Sequence, residues 1–231
     1  MLLKISGEAI SGEGRHGVDP DALDVLCEEL AEATQLGLQI ALVVGGGNFL
    51  RGADLQSTVE RHVGDYMGML ATVMNGLTLE SALRQRGVSA RALSALEVRN
   101  VVPPYTIDGC RRLLEEGCLV ILAGGTGNPF FTTDTGASLR AIEIGADELL
   151  KGTKVDGVYS GDPNTDPSAT RFESVSYAEV LEKRLGVMDA TAIALCREHR
   201  MPVRVFNMLE RGNIRRALLG EQTGTVVSED A

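Results

Sequence analysis

At 231 residues with 44% hydrophobic content, the chain is long enough for one large α/β domain with a proper core, and a single domain over 1–231 is expected. Its 22 Lys and Arg against 32 Asp and Glu give a net charge of −10. That argues against a nucleic-acid or anionic-membrane surface, since both call for a basic face, and it leaves any phosphate site dependent on a few local cations. No apolar run approaches the ~20 residues of a membrane span. Lys4 and Glu8 interrupt any N-terminal signal sequence. Cys27, Cys110, Cys118 and Cys196 are widely spaced without a Cys-x-x-Cys pair, so free thiols in a reducing cytoplasm are expected, not disulfides or zinc.

The elements alternate along the chain. Residues 1–5 form a short apolar strand carrying one lysine, Lys4, which runs into Ser6-Gly7-Glu8-Ala9. Asp19-Pro20 opens a helix through Leu23, Val25, Leu26, Leu30 and Ala33 that ends near Gly37. Residues 38–44 read as a buried strand ending in Gly45-Gly46-Gly47-Asn48. Residues 65–85 form a long helix with Leu70, Val73, Met74 and Leu77 at helical spacing, in which Met67, Met69 and Met74 read as core filler. Asp65 would serve equally as the N-cap of that helix. A strand over 88–93, a helix over 106–116, a strand over 118–123, a helix over 136–146 and a strand over 148–151 follow. After them come a helix within 186–199, a strand over 203–206, a short helix over 213–219 and an edge strand over 224–227. The alternation predicts an α/β fold, a three-layer α/β/α sandwich around a mostly parallel sheet.

Three strand–glycine junctions suggest one polyanionic ligand site at one sheet edge, where successive backbone N–H groups make anion-holding concavities. The most informative is Gly125-Thr126-Gly127-Asn128-Pro129-Phe130-Phe131-Thr132-Thr133-Asp134. Its threonines and asparagine supply hydrogen-bonding groups that a turn does not require, and Asp134 is its one fixed charge or else a helix cap. Known nucleotide motifs do not fit. Glu13 and Gly14 stand where a P-loop needs Lys and Ser or Thr, and Leu50 takes the third glycine position of the dinucleotide fingerprint. The turn-rich stretch 155–167 is a functional loop or a surface excursion; Tyr159 could lie against a base and Asp162 could accept from an amine or ribose. His16, His62 and His199 lack metal-like spacing and read as ordinary polar residues.

Taken in order, Lys4 to Ala9, Gly45-Gly46-Gly47-Asn48 with Arg51-Gly52, Gly64-Asp65-Tyr66-Met67-Gly68-Met69, Gly125 to Asp134 and Lys151-Gly152-Thr153-Lys154-Val155-Asp156-Gly157-Val158-Tyr159 resemble the bacterial uridylate (UMP) kinases of the amino-acid-kinase fold family. Val187-Met188-Asp189 and residues 203–207 match as well, and the similarity runs from residue 2 to about 227. The chain departs in beginning directly at the first strand, without the leader many members carry.

The resemblance implies ATP-dependent phosphorylation of UMP with Mg2+, an N-terminal part that mainly binds UMP and a part from about 150 that mainly binds ATP. It implies Lys4, Ile5, Ser6 and Gly7 at the transferring phosphates and Gly47 on ATP. Arg51 would clamp phosphate, and Thr153, Tyr159 and Asp162 would hold adenosine. UMP would meet Gly46, Asp65 through its ribose, and Thr126, Gly127, Asn128, Pro129, Phe130, Phe131, Thr132 and Thr133. Asp134 would orient Lys4, and Asp189 would lie near the phosphates. The resemblance further implies a homohexamer activated by GTP and restrained by UTP, with an effector region of Gly12, Glu13, Gly14, Arg15, His16, Gly17 and Arg91. Other kinases of the fold, acting on carbamate, acetylglutamate or aspartate, and a non-catalytic nucleotide sensor are the rival readings.

Overall fold

In the computed structural model, which describes residues 1–12, 16–50, 59–163, 165–166 and 168–229, strand and helix alternate. The strands are β1 (Leu2–Ile5), β2 (Ala41–Val44), β3 (Ala90–Ser94), β4 (Leu119–Ala123), β5 (Leu149–Thr153), β6 (Ser174–Ser176), β7 (Val203–Asn207) and β8 (Thr225–Ser228). The helices are α1 (Pro20–Thr34), α2 (Arg61–Gln85), α3 (Ile107–Glu115), α4 (Thr133–Ile144), α5 (Tyr177–Glu182), α6 (Ala190–Glu198) and α7 (Asn213–Leu218), with a 3-10 turn at Gly7–Ile10.

The strands form one sheet in the order β3-β4-β2-β1-β5-β7-β8-β6. All pairs are parallel except β7 with β8. The first four strands make one half of the sheet and the last four the other, and the halves meet where β1 pairs with β5. Alternation along each strand sorts side chains onto two faces. Leu3, Ile5, Leu42 and Val44 pack under α1, α2 and α7. Leu2, Val43, Val120 and Leu149 pack under α3, α4 and α6. The result is the expected three-layer sandwich. Its parallel strands lead their carboxyl ends to a common edge, the place where open α/β sheets bind ligands.

Caps set the element boundaries, and several differ from expectation. The Asp19 side chain accepts from the Asp21 and Ala22 amides and starts α1, with Pro20 at the first position. Helix α2 begins at Arg61, four residues early, with Glu60 as N-cap, so Asp65 is no cap but lies on the helix. Helix α4 begins at Thr133, because Thr132 accepts from the Asp134 and Thr135 amides; Thr132 is the cap there, not Asp134. Residues 38–40 precede β2. Strand β8 lies inside the sheet, and the edge strand on that side is β6, which with α5 lies in a stretch where no element was expected. Met69 is core as expected, but Met67 and Met74 are exposed together with Leu70. All four cysteines are free and buried, and no helix among the described residues is long and apolar enough to cross a membrane.

Glu29 of α1 is a buried carboxyl whose Oε1 accepts from the Gly212 amide at the start of α7, while Oε2 has no hydrogen-bond partner. Burial pushes its pKa up, with the Gly212 and Ile214 amides opposing. The folded state therefore holds this proton more tightly than the unfolded chain. Stability then falls as pH rises from the ordinary carboxyl range through the raised folded value. Glu29→Gln should melt higher than the parent at about pH 8 and show no advantage at about pH 4. Thermal melts at the two pH values check this; a variant that gains nothing at the higher pH contradicts it.

Candidate active site

The centre of the site is built by register. Lys4 and Lys151 are Cα partners on adjacent parallel strands β1 and β5, so both side chains leave the sheet on the α4 face. There they meet Asp134, one residue into α4. Lys4 Nζ lies 2.6 Å from Asp134 Oδ1, and Lys151 Nζ lies 2.8 Å from Oδ2. The Lys151 contact is a directed hydrogen bond. The Lys4 contact is a close ion pair to the other carboxylate oxygen. Lys151 Nζ also donates to the Val187 carbonyl. Burial works to raise the Asp134 pKa, but Lys4 and Lys151 together outweigh it and hold the carboxyl below its ordinary value. Burial pushes the Lys151 ammonium down, partly offset by Asp134. The two lysines outnumber the one carboxylate they share, so the Lys4–Asp134–Lys151 trio by itself is positive in a largely desolvated place, with Asp189 as the next charge outward.

Asp189 extends this cluster. It caps α6 through the Ala192 amide, and it also accepts from Thr132 Oγ1 at 2.5 Å and from Thr135 Oγ1 at 2.9 Å. The cap reading and the site reading of Asp189 are thus both realised in one side chain. It ties the start of α6, in the second half of the sheet, to the loop after β4 in the first.

Glycine loops surround the cluster, and at Gly7 and Gly46 nothing larger than glycine fits. A Cβ on Gly7 would overlap Asn48 Oδ1 and lie 2.6 Å from the Gly45 carbonyl. One on Gly46 would lie 2.7 Å from the Gly68 carbonyl of α2. Asn48 and Asn75 exchange a reciprocal amide pair at 3.0 and 2.7 Å, and Asn75 also donates to the Gly45 carbonyl. These buried, fully paired amides fix the loop after β2 against α2. Thr72 Oγ1 does the same for the loop after β4, accepting from the Gly124 amide at 2.7 Å.

Between these loops and α2 lies a cleft of about 160 Å³. Of the residues expected there, Gly46, Gly47, Asp65, Thr126, Phe131, Thr132 and Thr133 line it. Gly127, Asn128, Pro129 and Phe130 form the turn beside it, and the Phe130 amide donates to Asp65 Oδ2 at 2.7 Å. Sequence reasoning missed Gly64, Gly68 and Thr72 as lining; their signal was the small-residue spacing along one side of α2.

The remaining expected residues are more scattered. Thr153 Oγ1 closes a turn with Val155, Tyr159 donates to Asp156, and the Asp162 carbonyl accepts from the Thr165 and Asp166 amides. Thr153 ends β5 and the other two follow it, on the second half of the sheet. Arg91 lies on β3 beside Glu80 and lines a separate cleft with Arg99 and Tyr105. Gly17 hydrogen-bonds Asn48 in both directions, and Gly12 and His16 lie just before it. Arg51, Glu13, Gly14 and Arg15 lie outside the described residues. Among the described residues no three His, Cys, Asp or Glu side chains group as a metal cage.

This geometry has known counterparts. A family model described as the amino acid kinase family matches residues 1–207. The chain is 52% identical over 228 residues to a uridylate kinase of Alcanivorax borkumensis, covering 98% of this chain and 90% of that protein. It superposes on the crystal structure of a UMP kinase from Bacillus anthracis with a TM-score of 0.96 at 33% identity, over 100% of this chain and 96% of that one. A UMP kinase from Ureaplasma parvum gives 0.93 at 34% identity, over 99% and 97%.

Proposed function

The chain belongs to the amino acid kinase family, and we infer from its likeness to uridylate kinases that it transfers the γ-phosphoryl of ATP to UMP, giving ADP and UDP. The observation that carries this reading is the Lys4–Asp134–Lys151 cluster at the junction of the two sheet halves, beside a cleft bounded by Asp65 and the 125–133 loop. An ionised oxygen of the UMP phosphate attacks the γ-phosphorus, the bond to the ADP oxygen breaks, and that oxygen keeps the electron pair. No proton need move, so no general base is required. Catalysis is then positioning and charge neutralisation.

In this reading UMP lies on the first half, with its ribose at Asp65, its phosphate toward Thr132 and Thr133, and Gly46 offering its amide. ATP lies on the second half, with adenosine along Thr153, Tyr159 and Asp162 and its phosphates over Ser6, Gly7 and Gly47. Arg51 adds a bidentate fork to the phosphates. Lys4 meets the transferring group. Lys151, absent from the sequence-based set, is the second ammonium available to it. Mg2+ entering with ATP would supply further charge neutralisation. Such an ion would take most of its oxygens from phosphate and water and one or two from carboxylates, and Asp134 and Asp189 are the carboxylates that would hold it here.

ADP release measured with UMP, CMP, carbamate and acetylglutamate tests the reading. Turnover on UMP alone is expected, and preferential use of carbamate or acetylglutamate would overturn it. Within that assay UMP should outperform dUMP by roughly 10²-fold or more, because a site set to accept from a hydroxyl discriminates strongly against a substrate that lacks it. Equal rates on the two would remove Asp65 from its assigned role.

The second element of this proposal is assembly and control. Val63, Tyr66, Met67, Leu70 and Met74 form an exposed apolar stripe along α2 at i, i+3, i+4, i+7 and i+11. That pattern is a helix face awaiting a partner, and a homohexamer would cover it. GTP activation and UTP restraint would act through residues 12–17, tethered to Asn48 by Gly17, and through the cleft at Arg91. Light scattering returning a particle near 24.6 kDa contradicts the assembly, and ATP and UMP saturation curves unmoved by GTP contradict the regulation.

A further inference from the structure

The carboxylate assigned to the ribose is not held by the cleft. It is held from outside it. Arg61, one turn before Asp65 on α2, points its Nε at both carboxylate oxygens, 2.9 Å from Oδ1 and 3.0 Å from Oδ2. The Phe130 amide donates to Oδ2 at 2.7 Å. The Arg61 guanidinium also lies 5.9 Å from the centre of the Phe130 ring. Phe130 itself sits at φ 72°, a left-handed backbone that a bulky residue rarely adopts. Its amide points at Asp65 in that conformation. Three residues from two elements thus form one closed unit in which Asp65 is the shared acceptor.

An ionised carboxylate has about four lone-pair sites. Arg61 and Phe130 engage both oxygens but load Oδ2 more heavily, leaving Oδ1 the freer acceptor. Because Arg61 addresses both oxygens at once, it also fixes the rotation of the carboxylate plane. Arg61 is itself 56% exposed on its side chain, whereas Asp65 is 19% exposed. An exposed i,i+4 ion pair adds little to folding, so its stabilising value does not account for this arrangement. The orientation it imposes on a group facing the cleft does.

We propose that Arg61 is a positioning residue for ribose recognition: it presets the Asp65 carboxylate and, with it, the turn at 128–131 that borders the nucleotide cleft. The proposal rests on the uridylate-kinase reading. A hydroxyl donor arriving at Oδ1 meets an acceptor already aimed, and the preference for a 2′-hydroxyl follows from that aim as much as from the charge. Without Arg61 the carboxylate turns more freely, the Phe130 amide loses its fixed acceptor, and the strained turn is free to relax. The reacting phosphates are untouched.

The test is steady-state kinetics of the full chain with UMP and dUMP for the parent, Arg61→Met, Arg61→Lys and the double variant Arg61→Met with Asp65→Asn. Arg61→Met should raise KM for UMP about tenfold with kcat within about twofold, and it should reduce the UMP-over-dUMP preference by about tenfold. Arg61→Lys, which keeps the charge but not the planar Nε–H that both carboxylate oxygens share, should recover part of the preference. Adding Asp65→Asn to Arg61→Met should cost little more, since both changes disable one unit. An unchanged UMP-over-dUMP ratio in Arg61→Met, or a loss confined to kcat, overturns the proposal. A parent protein that does not phosphorylate UMP instead overturns the functional reading beneath it.

Discussion

Lys4→Ala should lower kcat by roughly 10²–10³, the scale on which loss of one preorganised charge-stabilising donor slows an enzyme, while the protein stays folded. The lysine is buried at the end of β1, yet its partners are polar. Its ammonium faces Asp134 and its register partner is Lys151. Truncation removes one of two cations from a single carboxylate, and Lys151 still pairs with Asp134 at 2.8 Å. The local charge falls by one unit, and the Lys151–Asp134 pair that remains is neutral. A developing negative charge on the transferring group then loses its nearest counter-charge in a poorly solvated place, where such interactions count for more than in water. Substrate KM should move much less than kcat, because the charge that Lys4 meets is greatest in the transition state. Turnover within about threefold of the parent would shift the role to Lys151 or Arg51.

The pairing behind that prediction was half legible. Leu2-Leu3-Lys4 and Leu149-Leu150-Lys151 are the same triplet, each a lysine inside a buried strand, and the repetition marks two cations leaving the same face at the same level. What the sequence could not supply is that β1 and β5, separated by some 140 residues, are neighbours in register; that depends on the strand order. The alternation of elements was legible because parallel strands buried on both faces read as continuous apolar runs. Strand β6 was not, since three residues, Ser174-Val175-Ser176, carry no period. The stripe on α2 is legible only in part, Met67 and Met74 reading as core filler, for a related reason. Periodicity shows that Met67, Leu70 and Met74 lie on a common side of a helix, but not whether that side faces the core or another chain. Caps were the finest failure. Thr132, Thr133 and Asp134 are all competent near a helix start, and only geometry shows that Thr132 takes the cap. The aspartate is thereby turned inward toward the lysines.

That inward turn makes Asp134→Asn the most damaging single change expected outside Lys4. The amide can accept from one lysine at a time, and the two buried ammonium groups are left facing each other with no charge between them. Breaking a buried ion pair by removing one partner costs about 3 kcal/mol or more, and here one carboxylate serves two. Turnover should also fall by roughly 10², since Lys4 loses the group that orients it. The stability deficit should itself depend on pH, in both directions. The Asp134 pKa is depressed in the folded protein, so the parent enjoys this stabilisation above the ordinary carboxyl range and loses it as pH falls through the lowered folded value. The deficit of the variant therefore shrinks in strong acid. On the alkaline side the argument runs through Lys151. Burial already lowers its pKa and Asp134 raises it, so removing the carboxylate lowers it further. As pH climbs through that value the lysine becomes neutral, its repulsion with Lys4 disappears, and the variant recovers ground again. Melting temperatures of parent and variant at about pH 3, about pH 7 and about pH 9.5 should show the widest gap in the middle. A gap that stays constant across the three would mean that the lysines do not depend on Asp134 for their charge balance.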